Sequence, residues 1–145
     1  MALAPRYPES RYEPSPLIDL SGKAERERLS PSAIKAFFNI MEKWNVRDED
    51  ARALLGGISN GQFYEAKKKP ERTLDTDTLT RISYLVGIFK ALNILYSEAL
   101  ADAWVQRPNT NRMFAGRTAL AYMISGGLPA MQAVRRLLDG RRGGM

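Results

Sequence analysis

Apolar residues first recur at helical spacing at Ile34, Phe37, Phe38 and Met41, with Trp44 following. Ser30-Pro31 stands just ahead of them. Serine caps helices well, and proline is tolerated at the first helical position, where its missing N–H has no partner. A helix from Pro31 to about Asn45 is therefore predicted. Ala51, Leu54 and Leu55 give a short helix over 47–55 an apolar face. Its first turn is acidic (Asp48, Glu49, Asp50), which suits the positive end of a helix dipole, and Gly56-Gly57 ends it. Ser59 caps a third helix over 60–68, Pro70 stops it, and 71–76 form a polar connection. Leu79, Ile82, Leu85, Val86, Phe89, Leu92 and Leu95 then make a wide stripe over 77–96. Ile88 and Ile94 broaden it, so this helix is expected to be buried on more than one side.

Ser97 caps a shorter helix to about Gln106, and 107–116 read as a loop. Two helices follow, over 119–125 and 129–139, separated by Gly126-Gly127 and closed by Gly140. No period-2 stretch of useful length is present, so the fold class is all-α. Residues 1–29 hold four of the eight prolines and no sustained apolar period. They are expected to form an extended, mobile arm with a short helical turn near 23–28. Three parts result: the arm 1–29, a helix-turn-helix part 30–72, and a helical part 73–145.

Composition removes function classes. No run approaches ~18 uncharged apolar residues, so no membrane partner is expected. Residues 1–16 lack an apolar h-region and carry Arg6, Glu9, Arg11 and Glu13, so no secretory signal is expected. Cysteine is absent, which removes disulfides, thiolate metal sites and cysteine nucleophiles and suits a cytoplasmic location. Histidine is absent too, so imidazole bases and His-ligated metals are impossible. No catalytic residue, cofactor or metal is predicted. Net charge is +6, and residues 73–145 carry nine bases against five acids. Such basicity fits nucleic acid or merely a soluble basic surface. Arg135, Arg136, Arg141 and Arg142 gather near the end, against Asp139.

Residues 47–69 form a helix, a glycine turn and a second helix, a helix-turn-helix arrangement. In that arrangement the N-terminal residues of the second helix meet base edges in the major groove. Ser59, Asn60 and Gln62 exchange hydrogen bonds there, and Gln62 suits bidentate pairing with adenine. Tyr64 reaches a phosphate or packs inward. Lys67, Lys68 and Lys69 neutralise backbone phosphates, although basic residues at a helix C-terminus are also favourable by dipole alone. Phe63 reads as core.

Several marks in order carry a resemblance. They are Leu54-Leu55-Gly56-Gly57-Ile58-Ser59, Phe63-Tyr64, Arg81-Ile82, and Trp104-Val105-Gln106-Arg107-Pro108-Asn109. Phe114-Ala115-Gly116-Arg117-Thr118-Ala119-Leu120, Gly126-Gly127 and Val134-Arg135-Arg136-Leu137-Leu138-Asp139-Gly140 complete them. Over roughly 31–145 the chain resembles the Xre/MbcA/ParS antitoxin family. Departures are Ala115 where the family often has the first of two glycines, Ala119 where proline commonly stands, and Ala66. The resemblance implies an Xre-like helix-turn-helix that binds operator DNA, and a helical domain that captures a RES-domain toxin, an NAD-degrading enzyme. It further implies homodimers, larger complexes with toxin, and no enzymatic activity.

The apolar faces after residue 79 exceed what a small helix-turn-helix core covers. Leu92, Leu95, Trp104, Phe114, Met123 and Leu138 are expected to form a second core, and the remainder an interface. The expected toxin contacts are Arg135, Arg136, Leu138, Asp139, Gly140, Arg141, Arg142 and Gly143. Guanidinium groups there compete for a pyrophosphate site or pair with cleft carboxylates. A stand-alone transcriptional regulator and a phage or nucleoid DNA-binding protein are the alternative readings. An enzyme would need a carboxylate pair, a Ser-Lys dyad or a metal site. Asp75 and Asp77 read instead as helix caps, and no phosphate-binding glycine loop stands in the right context.

Overall fold

The computed structural model describes residues 20–142. Six helices run through them: α1 Lys23–Lys43, α2 Asp48–Leu54, α3 Asn60–Lys68, α4 Thr76–Leu95, α5 Glu98–Ala103 and α6 Ala119–Arg142. Two 3₁₀ turns, Trp104–Gln106 and Arg112–Phe114, lie between α5 and α6. The described residues hold no strand. One isolated bridge between Pro108 and Thr118 closes the loop that carries the second turn.

The first helix starts earlier than Ser30. Ser30 is not its cap but a fully buried residue in its middle. Its hydroxyl donates to the Arg26 carbonyl and accepts from the Leu74 N–H at 2.8 Å. Pro31 therefore sits inside a helix, where its ring normally costs about 3 kcal/mol. The early turns are anchored elsewhere. Arg26 Nη1 donates to the carbonyls of Leu20 (3.1 Å) and Ser21 (2.7 Å), and Thr76 Oγ1 also donates to Leu20 O at 2.9 Å. Tertiary anchoring thus overrides the local proline signal, and the helical turn expected near 23–28 is the start of α1. The remainder of the expected arm, 1–19, lies outside the described residues.

Helix α4 packs against both α1 and α6 and is the wall shared by the two halves. It buries Thr78, Leu79, Ile82, Leu85, Gly87, Ile88, Ala91 and Leu92, which spread round the helix as expected. By length and mean hydropathy (1.2) it is apolar enough to cross a membrane, which the count of uncharged runs missed. Here that apolarity faces other helices. One core runs through the whole molecule, from Phe37, Trp44 and Phe63 to Phe114, Met123, Met131 and Leu138. Of the expected second core, Leu92, Phe114, Met123 and Leu138 are fully buried, while Leu95 and Trp104 pack partly buried against it.

The break predicted at Gly126-Gly127 is real. Gly127 has φ 65° and ψ −146°, a region open essentially to glycine alone. It kinks α6 into two helical arms. Gly140, expected to end the last helix, does not: α6 continues through it to Arg142.

Candidate functional site

Helix α3 stands out from the body on its buried Phe63 and Ala66. Phe63 meets Phe38 edge-on at 5.2 Å, and Phe38 meets Phe37 at 5.3 Å, so the helix is fixed to α1 by aromatic contacts. The turn from α2 is made by Gly56 and Gly57, at φ 92° and 79°, angles that other residues resist. Arg52 Nε closes it by donating to the Ile58 carbonyl at 3.0 Å.

Ser59, Asn60, Gln62, Tyr64, Lys67, Lys68 and Lys69 are all exposed on this helix. Ser59 and Gln62 form a capping box. Ser59 Oγ accepts from the Gln62 N–H (3.1 Å), and Gln62 Oε1 accepts from the Ser59 N–H (3.4 Å). Tyr64, 43% exposed, donates its hydroxyl to Asp48 Oδ2 at 3.0 Å, tying α3 to α2. This bond to Asp48 raises the phenol above its usual range. Lys67 lies 5.8 Å from the centre of the Phe38 ring, and Lys69 pairs with Glu65 at 3.7 Å. Lys68 makes no ion pair among the described residues. Sequence reasoning missed that the acidic turn of α2 borders the reading helix. Only the long-range contact between Tyr64 and Asp48 shows this.

The terminal arginines divide by partner. Arg135 lies across α4, where its guanidinium fills the space a side chain at Gly87 would need, and it donates to Asp139 at 2.9 Å. Arg141 Nη1 donates to the Tyr96 hydroxyl at 3.0 Å. Arg136 and Gly140 are exposed. Arg142 ends the helix, and Gly143 lies outside the described residues. Leu138 is fully buried, so the expectation that it touches a partner is corrected: helical spacing places it with Met131 and Val134 on the core side of α6. Asp139 is half-exposed and serves Arg135. Two exposed apolar side chains flank the α4–α5 junction, Ile94 (62% exposed) and Leu100 (46%). Ile94 had read as part of the buried stripe.

Of the two expected helix caps, Asp75 is the N-cap of α4, whereas Asp77 lies inside its first turn. Asp75 Oδ1 accepts from the Thr78 N–H at 2.8 Å, and this bond holds its carboxyl below the usual range. Asp77 pairs with Arg81 at 2.8 Å. The Arg81 side chain, only 17% exposed, reaches the α2–α3 turn beside Gly56 and lies near Gly127 in the α6 break. One guanidinium thus joins the reading unit to the C-terminal helices.

Comparison with known proteins finds two matching domains along the chain. Residues 23–87 match the antitoxin Xre-like helix-turn-helix domain, and residues 90–144 match the antitoxin Xre/MbcA/ParS C-terminal toxin-binding domain. The two matches meet inside α4. The chain is also 39% identical to uncharacterized protein y4oB of Sinorhizobium fredii over 115 residues, covering 79% of this chain and 87% of that protein. No solved structure matches. An all-helical chain with an exposed, capped reading helix, followed by a helical domain ending in arginines, belongs to the Xre/MbcA/ParS antitoxin family, as a DNA-binding, toxin-neutralising member.

Proposed function

We propose that this protein neutralises an NAD-degrading RES-domain toxin in the cytoplasm and binds operator DNA to regulate its own operon. It does so by binding and carries out no catalysis. The observation that carries this reading is the tandem match of both antitoxin modules along one chain. The functional division falls at the polar connection before α4, with helices before it reading DNA and helices after it holding toxin. Asn60 and Gln62 read bases while Lys67, Lys68 and Lys69 hold phosphates. Two chains pair on the operator's half-sites, and toxin joins them in a larger complex.

On the toxin side, Arg136, the end of α6 from Gly140 to Arg142, and Gly143 after it cover the active-site cleft. Arg135 and Arg141 hold α6 against α4 and Tyr96 and so aim that end. Arginine suits the task because its planar fork pairs with carboxylates and competes for a pyrophosphate site. Deletion of residues 140–145 tests the arrangement. Operator binding should persist and melting should fall only slightly, by loss of the Arg141–Tyr96 bond, while protection of cellular NAD and growth on toxin co-expression should fail. Full protection by the truncated chain overturns the cleft-covering role.

A further inference from the structure

Between the end of α1, the turn into α2 and one face of α5 lies a cleft of about 600 Å³. Trp44 is 1% exposed, yet its indole Nε1–H has no hydrogen-bond partner. Asp102 Oδ1 is buried and unpartnered as well. Both residues line this cleft. Buried polar atoms nearly always have partners, so a buried donor and a buried acceptor without partners, on two residues that line one cleft, mark a place where a small shift of the wall would admit something polar. Gln106 shapes the wall: its Nε2 donates to the carbonyls of Trp44 (3.0 Å) and Asn45 (2.8 Å). Lys43, Arg47 and Arg107 also line the cleft. Arg47 is offset by Asp50 at 3.3 Å and Glu49 at 4.0 Å, whereas Lys43 and Arg107 make no ion pair among the described residues.

We propose that this cleft docks an extended, acidic segment of the toxin. The proposal rests on the reading above that a toxin binds this chain. An extended peptide presents a carbonyl and an N–H together. The carbonyl accepts from Trp44 Nε1, the N–H donates to Asp102 Oδ1, and flanking carboxylates meet Lys43 and Arg107. Nucleic acid fits less well. A phosphate gives Asp102 no donor and is repelled by it and by the acidic start of α2 beside Arg47. Five of the nine lining residues also fall within the matched toxin-binding region.

The test uses the full chain, ¹⁵N-labelled, with the product of the adjacent gene. Two tryptophans give two indole signals. Trp104, 6.0 Å from Phe114, is the internal reference. Toxin should shift the Trp44 signal more than the Trp104 signal. The double variant Lys43→Gln/Arg107→Gln, which removes both positive charges at exposed positions, should bind toxin about tenfold more weakly, with operator affinity held within about twofold. Trp44→Phe, which keeps an aromatic ring and deletes the donor, lowers melting because Trp44 is a core residue, and at a temperature where the variant is fully folded it should still weaken toxin binding while operator affinity holds. A complex that forms with an unmoved Trp44 signal and unchanged affinity for the double variant overturns the docking site and leaves the antitoxin reading standing. A Trp44 shift on operator DNA alone overturns it in favour of nucleic acid. No complex at all overturns both.

Discussion

Ser30→Ala isolates the contact that holds α1 to the connection before α4. Ser30 is fully buried, and its Oγ is the acceptor for the Leu74 N–H at 2.8 Å. The bond it donates to Arg26 O matters less, because the helix supplies that carbonyl with a backbone N–H. The variant therefore strands one backbone donor. A stranded buried donor costs about 1–3 kcal/mol. Leu74 is only half-buried, which places the cost in the lower part of that range. Alanine returns about 0.5 kcal/mol as a better helix former than serine. A net loss of about 1 kcal/mol follows, against a gain of a few tenths for Ser32→Ala, an exposed position on the same helix where only helix propensity changes. For a chain of this size that is a melting point lower by about 2–4 °C and a urea midpoint lower by about 0.5 M. The Leu74 amide should also exchange faster with solvent. A Ser30→Ala protein as stable as its parent, with Leu74 exchange unchanged, refutes the assignment of Ser30 as a tertiary anchor.

Ala115 has a left-handed backbone at φ 50° and ψ 42°, which costs a non-glycine residue about 1–2 kcal/mol, so Ala115→Gly should raise denaturant stability by up to about 1 kcal/mol after glycine's own entropy cost. Asp75→Ala should cost about 1 kcal/mol at pH 7 by loss of the cap on α4. Because the folded Asp75 carboxyl titrates below its unfolded value, its contribution is complete above about pH 4 and fades as pH falls through the folded value, so urea melts of parent and variant should converge toward pH 2. Replacing Lys67, Lys68 and Lys69 by alanine should weaken binding to all DNA sequences alike and lower the salt slope by about one unit per lost phosphate contact, read by fluorescence anisotropy across a salt series.

Much of the fold was legible because its signals are local. The Ser59 cap, the acidic start of α2, the Gly56-Gly57 turn and the Gly127 break depend on a few neighbouring residues, and each stands where the chain chemistry put it. The stripe on α4 was legible for the same reason, being one helix with one period. What escaped depends on contacts far along the chain. Ser30 looks like a cap until Leu74, 44 residues on, takes its hydroxyl. Gly140 looks like a stop, yet Arg141 reaches back to Tyr96 and the helix continues past the glycine. At the site, exposure of the α3 polar residues followed from Phe63 turning inward. The division of labour among the terminal arginines did not, because Gly87 and Tyr96 have no sequence proximity to them.

The function proposed above is the silencing of an NAD-degrading partner by stoichiometric capture. The most direct measurement follows NAD consumption by the purified product of the adjacent gene while this protein is titrated in. The rate should fall linearly to zero at a fixed ratio of the two chains, and the chain alone should leave NAD untouched. An NAD-consuming partner whose rate stays level through a large excess of this protein contradicts it.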